Sequence, residues 1–216
     1  MKKMNTDKLT ILAMFAALAF IAAAFFRIPV VMFLRYDPKD IIITIGGFLY
    51  GPLAAFLITV VVSFVQMLTV SATGFGGFIM NVIAGSAFAC TAAFIYKKKR
   101  TLAGAIIGLV TAWLLTTAVM LGVNYLFTPI IMDRPREDVA ALLIPAFLPF
   151  NLLKGGLNAA VTKLLYKHVK TIFRAARMPI SDDRNQSGKI NKNVVIAATL
   201  VVAICIVVWL RLQGII

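Results

Sequence analysis

Several polar side chains lie inside otherwise apolar stretches, and they are the first candidates for a functional site. The carboxamides are Gln66, Asn81, Asn124 and Asn151, and the accompanying cation is Lys154. Polar groups within a membrane-spanning segment are costly, and they are kept mostly for function or for hydrogen bonds between helices. Amides and an ammonium group can hydrogen-bond a polar organic solute. This set therefore predicts a ligand site.

Lys154 is the most informative of these residues. Its helix is predicted to start at residue 146, and at about 1.5 Å per residue Lys154 lies roughly 12 Å from that start. Asn151 shares its helical face three residues earlier, and Asn158 extends that face by one turn. We favour a ligand site here. The alternative is a lysine that extends towards the membrane surface beside an asparagine bonded to a neighbouring helix.

Signals for catalysis or metal binding are weak. His168 is the single histidine and lies in a basic stretch, and no HExxH, GxSxG or Walker motif occurs. Cys90 and Cys205 lie in apolar runs without CxxC spacing, which indicates neither a metal site nor a disulfide. The predicted spans contain no carboxylate, which disfavours proton or sodium coupling. The sequence therefore predicts no enzyme, no metal and no cofactor, and uphill transport would need energy from another subunit.

The composition places these residues in a membrane protein. Of 216 residues, 61% are hydrophobic and 14% charged, with a mean hydropathy of +0.94, whereas soluble domains are about half apolar and a quarter charged. Because a bilayer core needs about 20 apolar residues per helix, we predict an all-α integral membrane fold. The expected helices are residues 9–26, 41–50, 53–70, 78–96, 102–127, 146–166 and, after a polar linker, 194–212.

The basic residues predict the orientation of these spans. With the N-terminus in the cytoplasm, fifteen lysines and arginines fall inside and five fall outside, the five being Arg27, Arg35, Lys39, Arg134 and Arg136. Most of the residues behind the net charge of +14 then determine the topology and pair with anionic lipid headgroups. The basic runs lack interleaved aromatic residues, which disfavours nucleic acid as a partner.

This orientation brings the polar residues to a common depth. Gln66, Asn81, Asn124, Asn151 and Lys154 all fall in the outer half of the bilayer, and Asp37 and Asp40 fall in the outer loop after the first helix. The inner half has little comparable, and no internal repeat of the kind found in alternating-access transporters is evident. We therefore expect a ligand site that is open to the outside.

Small residues form a second pattern in the first helix. Ala13 and Ala17 are four residues apart, Ala16 lies beside them, and Ala19 and Ala23 repeat the spacing. Small residues at this spacing let another helix approach closely. The face formed by Ala13, Ala16 and Ala17 therefore serves either to dock a partner membrane protein or to pack within the chain.

Five motifs resemble the S components of energy-coupling factor (ECF) vitamin transporters, most closely the riboflavin-binding members. The most specific is the stretch LPFNLLKG at residues 148–155. The others are Asn124-Tyr125, the Asp-Pro-Lys-Asp stretch at 37–40, Tyr-Gly-Pro at 50–52 and Asn-Val-Ile-Ala-Gly at 81–85. The resemblance covers residues 9–173.

The resemblance implies a six-helix bundle that captures riboflavin, as a transported ligand, on the outer side of the cell membrane. A partner transmembrane subunit and two ATPase subunits would drive uptake, and the alanines of helix one would meet that partner. Hydrogen bonds to the flavin would come from Asn124, Asn151 and Lys154, with Asn81, Asp37 and Asp40 near the same pocket. An S component for thiamine, pantothenate or a folate, a scaffold without a ligand, and a membrane-embedded enzyme remain alternatives.

The chain divides into three predicted regions. Residues 1–173 are expected to form the substrate-binding membrane domain, and residues 174–193 a basic cytoplasmic linker. Residues 194–216 are expected to carry an additional C-terminal transmembrane segment. That last segment departs from the six-helix pattern of the family.

Overall fold

The computed structural model describes residues 6–31, 34–71 and 73–175. Within these residues the chain forms eight α-helices, and π-helical turns at Ser86–Cys90 and Leu143–Phe147 join four of them into two longer segments. The helices are α1 Thr6–Phe25, α2 Lys39–Tyr50, α3 Pro52–Thr69, α4 Gly74–Gly85, α5 Thr91–Lys99, α6 Leu102–Met132, α7 Arg136–Leu142 and α8 Leu148–Ala175. The predicted linker beyond residue 175 and the seventh predicted span lie outside the described residues.

In the described part of the chain, five helical segments are long and apolar enough to cross a membrane, which confirms the predicted all-α membrane fold. They are α1, α3, α4 with α5, α6, and α7 with α8, and their mean hydropathies lie between 1.5 and 2.2. The sixth segment, α2, has 12 residues and is only about 18 Å long. It is therefore too short to cross a hydrocarbon core of about 30 Å, and it is almost entirely buried among the other helices.

The break between α2 and α3 follows from two adjacent residues. Gly51 has a φ of 94°, a left-handed conformation that glycine adopts without steric cost. Pro52 then occupies the first turn of α3, where its missing amide hydrogen is tolerated. This tight turn ends the short helix and sends the chain back along the bundle, in agreement with the predicted break between helices 41–50 and 53–70.

A β-hairpin between α1 and α2 was not predicted. Strand β1, Ile28–Val31, pairs antiparallel with β2, Leu34–Tyr36. The hairpin is short because it contains Pro29 and a register shift beside it, and proline cannot donate to a strand ladder. Val30 and Tyr36 pack against Phe150 and Leu153 of α8. The hairpin therefore forms a wall at one end of the bundle.

Helix α2 lies at the centre of the fold, in contact with α1, α3, α5 and α8. A Cβ atom at Gly47 would lie 2.9 Å from the Cβ of Ala55 and 3.0 Å from the Cβ of Ala93. Small residues at these three positions therefore let α2 approach both α3 and α5 closely. Because α2 is held at the centre, its N-terminus faces the other helices that contribute to the site.

The segment that carries Asn151 is distorted just before that residue. Pro149 lacks the amide hydrogen that would bond the carbonyl of Pro145, and the chain forms a π-helical turn over Leu143–Phe147. The carbonyl of Phe147 accepts a hydrogen bond of 2.7 Å from the Asn151 side chain. The two prolines and this bond together determine where the polar face of α8 begins.

Candidate functional site

A cavity of about 330 Å³ lies at the end of the bundle where α1, α3 and α6 finish and where α2, α4 and α8 start. This volume falls within the range of small-molecule sites, roughly 300–1,000 Å³. Six of the seven predicted binding residues line the cavity, namely Asp37, Asp40, Asn81, Asn124, Asn151 and Lys154. Residues far apart in the chain are thus brought to one place.

Lys154 occupies the centre of the polar wall. Its Nζ lies 3.6 Å from Oδ1 of Asp37 and 3.4 Å from Oδ2 of Asp40. Charge-assisted hydrogen bonds between ammonium and carboxylate groups are usually 2.7–2.9 Å long. The two carboxylates therefore hold Lys154 electrostatically, and the ammonium group can still donate to a ligand.

Lys39 belongs to the buried ion-pair cluster beside the cavity, a position that the sequence pattern did not reveal. It was expected to be an outer-loop charge, but it is the first residue of α2 and only 1% exposed. Its Nζ donates to Oδ1 and Oδ2 of Asp37 at 3.1 and 2.9 Å and to Oδ1 of Asn81 at 2.9 Å. The Asp-Pro-Lys-Asp stretch, three charges beside an apolar helix, was the signal that could have identified it.

The pairing with lysines controls the ionisation of Asp37. Burial by itself would raise the pKa of this carboxyl group, but the positive charges of Lys154 and Lys39 outweigh burial. They lower the pKa from 3.8 to about 2. Asp37 therefore stays ionised at every physiological pH.

The asparagines present different atoms to the cavity. Nδ2 of Asn151 donates to the Phe147 carbonyl, so its Oδ1 remains available as an acceptor. Asn124 is engaged by its own helix, because Nδ2 donates to the Met120 carbonyl at 2.6 Å and Oδ1 accepts from Thr128 at 3.1 Å. Asn151 is therefore the freer of the two to bind a solute.

A further network ties the hairpin to α8 and α2. The Tyr36 hydroxyl donates to Oδ1 of Asn158 at 3.1 Å, and Nδ2 of Asn158 donates to Oδ2 of Asp40 at 3.4 Å. Oδ1 of Asp40 is buried and has no hydrogen-bond donor within the described part of the chain. The polar wall thus contains one carboxylate oxygen to which no described residue donates.

Much of the rest of the cavity lining is apolar or basic. Met80, Met120, Phe88 and Phe150 contribute apolar surface, and thioethers and aromatic rings pack well against a flat conjugated ligand. Two basic side chains of the first outer loop, Arg27 and Arg35, also line the cavity. Together with Lys39 and Lys154 they outnumber the two carboxylates, so the site has an excess of positive charge.

The structure separates Gln66 from the other predicted site residues. Gln66 is 1% exposed on the buried face of α3, and it is absent from the cavity lining. Its depth in the membrane is similar to that of the other residues, but depth does not determine the direction in which a side chain points around its helix. Gln66 is therefore not part of the cavity wall.

The alanines of α1 divide into two groups. Ala16, Ala19 and Ala23 are buried within the chain, whereas Ala13 and Ala17 are exposed. Internal packing thus accounts for Ala16, which was predicted to share the partner-binding face. Ala13 and Ala17 remain available for contact with another helix.

The helical bundle and its cavity define a membrane-embedded protein that can bind a small molecule. The family model for the substrate-specific component of ECF transporters matches residues 7–166. The chain therefore belongs to the ECF transporter S-component family. This family is a class of transporter subunits, not of enzymes, which agrees with the prediction of no catalytic activity.

Individual relatives support the assignment over most of the chain. The riboflavin transporter RibU of Staphylococcus aureus is 28% identical over 80% of this chain and 97% of its own length. The riboflavin transporter FmnP of Bacillus subtilis is 26% identical over 77% and 94%, respectively. A solved S component of a bacterial ECF transporter superposes with a TM-score of 0.66 at 27% identity, covering 77% of this chain and 97% of the other.

The lowered pKa of Asp37 predicts a pH-dependent contribution to stability. The ion pairs contribute fully above the ordinary carboxyl pKa of 3.8 and lose their contribution as the pH falls from there towards about 2. We expect Asp37→Asn to lower the unfolding midpoint of the detergent-solubilised protein at neutral pH. The difference from wild type should shrink below about pH 4.

The matched control is Asp133→Asn. Asp133 is exposed at the end of α6 with a φ of 49°, a conformation that asparagine also tolerates. This variant should show no comparable difference at neutral pH. An Asp37→Asn effect that persists unchanged down to about pH 3 would contradict the ion-pair account.

Proposed function

We propose that this chain is the riboflavin-binding S component of an ECF vitamin transporter and that the cavity beside α8 is its binding site. The observation that carries the proposal is the pairing of Asn151 and Lys154 on one face of α8 within an otherwise largely apolar cavity. Curated relatives that match most of this chain are riboflavin transporters. Riboflavin is the transported ligand here and not a cofactor.

The chemistry of the lining suits a flavin. The isoalloxazine ring is flat and largely apolar, and its uracil-like edge alternates carbonyl acceptors with an N–H donor. Oδ1 of Asn151 can accept from the N–H group, and the ammonium of Lys154 can donate to a carbonyl oxygen. Apolar side chains such as Phe88 and Met120 are suited to cover the ring faces.

Competing vitamins differ from riboflavin in charge. Thiamine is cationic, and the excess of positive charge from Arg27, Arg35 and the two lysines disfavours it. Pantothenate and folates carry carboxylates that this charge would attract. Pantothenate lacks a uracil-like ring edge, and the pterin edge of a folate carries an amino donor where the flavin has its second carbonyl acceptor. Competition with each of these vitamins therefore distinguishes the proposal from its alternatives.

The proposal includes orientation and partners. The N-terminus lies in the cytoplasm of the cell, and the cavity opens to the outside, as the distribution of basic residues predicts. A transmembrane subunit and two ATPase subunits supply the energy for uptake. Ala13 and Ala17, which are exposed on α1, form the contact with the transmembrane subunit.

Replacing Lys154 tests the site. Lys154→Ala should weaken riboflavin binding roughly 10- to 100-fold, because a hydrogen bond to a charged group contributes about 1.5–3 kcal/mol. Flavin fluorescence titration of purified protein measures the change. Lys163→Ala, on the same helix but outside the cavity lining, should bind normally. Equal affinities for the two folded variants would remove Lys154 from the site.

Cysteine labelling tests the orientation, in protein whose own Cys90 and Cys205 are replaced by alanine. Arg134→Cys should react with an impermeant maleimide on intact cells, and Lys98→Cys should react only after permeabilisation. Riboflavin should protect Asn81→Cys, because Asn81 lines the cavity. Labelling of residue 98 on intact cells would show that the topology is the reverse of the predicted one. Labelling of residue 81 that riboflavin does not reduce would show that the ligand binds elsewhere.

Bulky substitutions test the partner face. Ala13→Trp with Ala17→Trp should block the approach of another helix, so cellular uptake of riboflavin should be lost while the purified variant still binds riboflavin normally. The control is Ala103→Trp with Ile107→Trp, an exposed pair with the same spacing on α6. Uptake that survives in the α1 variant, or binding that is lost with it, would count against a docking role.

A further inference from the structure

The buried ammonium group of Lys39 is not accounted for by ligand binding. Lys39 is the largest of the fully buried side chains in the described part of the chain, and it does not line the cavity. Burying an ammonium group is costly unless it is paired and hydrogen-bonded. Its bonds to Asp37 and Asn81 meet this requirement. Lys39 therefore lies behind the polar wall and acts on it from the protein side.

The bond to Asn81 determines which way that amide faces. An ammonium group only donates hydrogen bonds, so the Asn81 atom that faces Lys39 must be the carbonyl oxygen, Oδ1. The amide nitrogen of Asn81 consequently points away from Lys39, because Oδ1 and Nδ2 lie on opposite sides of the Cβ–Cγ axis within the amide plane. No hydrogen bond from this nitrogen occurs within the described residues, and Asn81 lines the cavity.

Asp37 keeps Lys39 in this arrangement. Both of its carboxylate oxygens accept from Nζ of Lys39, which fixes the position of the ammonium group between the end of the hairpin and α4. Asp37 also lies 3.6 Å from Lys154. One carboxylate therefore positions the buried lysine and holds the lysine of the cavity.

We propose that Lys39 is a positioning residue that fixes Asn81 as a hydrogen-bond donor to the ligand. Asn151 has the reverse arrangement, because its nitrogen donates to the Phe147 carbonyl and its oxygen can accept from a ligand. The wall therefore presents a donor on α4 and an acceptor on α8, which selects a ligand whose edge carries both a carbonyl and an N–H group. The inference deepens the proposed function and rests on it for the identity of the ligand.

A double-mutant cycle between Lys39 and Asn81 tests the proposal with riboflavin as the probe. Asn81→Ala should weaken binding roughly 2- to 10-fold in the wild-type background, the range for one neutral hydrogen bond. Lys39→Met should weaken binding as well. In the Lys39→Met background, Asn81→Ala should add less than about a 2-fold loss, because the amide is already misoriented.

A charge-balanced version covers the case in which Lys39→Met fails to fold. The same cycle is then run in the Asp37→Asn background, where Lys39→Met no longer leaves a buried carboxylate beside it. The effect of Asn81→Ala with Lys39 present is compared with its effect in Lys39→Met, so the contribution of Asp37 cancels. If the losses of riboflavin affinity caused by Lys39→Met and Asn81→Ala are additive in whichever of the two cycles is measured, the positioning role of Lys39 is overturned.

The wild-type titration separates this inference from the proposed function. A wild-type protein that binds no riboflavin overturns the proposed function. The positioning of Asn81 is then judged by the same cycle on the free energy of unfolding, where additivity overturns it and coupling supports it. Riboflavin binding by wild type, together with unchanged affinity in folded Lys39→Met, overturns the inference and leaves the proposed function standing.

Discussion

Mutual neutralisation of buried charges is the constraint on which this cavity depends. Lys39, Lys154, Asp37 and Asp40 lie together at one end of the bundle, and three of the four are less than 9% exposed. An isolated charge in this position would be unfavourable by several kcal/mol. The cluster therefore requires the hairpin, the start of α2 and α8 to be in place at once, so the elements that form the cavity and the charges that line it stabilise one another.

The backbone conformation at this end of the bundle determines where the residues of that cluster lie. Helix α2 is short and central, so its first turn can bring Asp40 to the polar wall and Lys39 behind it, while Gly47 packs against α3 and α5. The distorted segment before Asn151 sets the start of the polar face of α8. A long regular helix at either place would put these polar groups at a different height or on a different face.

Hydrogen bonds to the protein decide what each amide offers to a solute. Asn81 and Asn151 have chemically identical side chains. The oxygen of Asn81 accepts a hydrogen bond from Lys39, whereas the nitrogen of Asn151 donates one to the Phe147 carbonyl. In the proposed site, the arrangement of donors and acceptors on the wall is therefore set by residues that lie outside the cavity lining. This explains why a list of polar lining residues does not by itself predict which ligand edge fits, and why positioning residues can control specificity.

The sequence by itself determined the membrane class, the approximate helix bounds and six polar residues of the cavity lining, because apolar runs of fixed length and costly intramembrane polar groups are local properties. It also carried the resemblance centred on Asn151 and Lys154, which the family match bears out at the level of the family. The tertiary structure alone decided that Lys39 is buried, that Gln66 lies outside the cavity lining and that Ala16 packs inside. These outcomes depend on which helix faces which, and the depth and charge of a residue in the sequence do not specify the direction of its side chain around the helix axis.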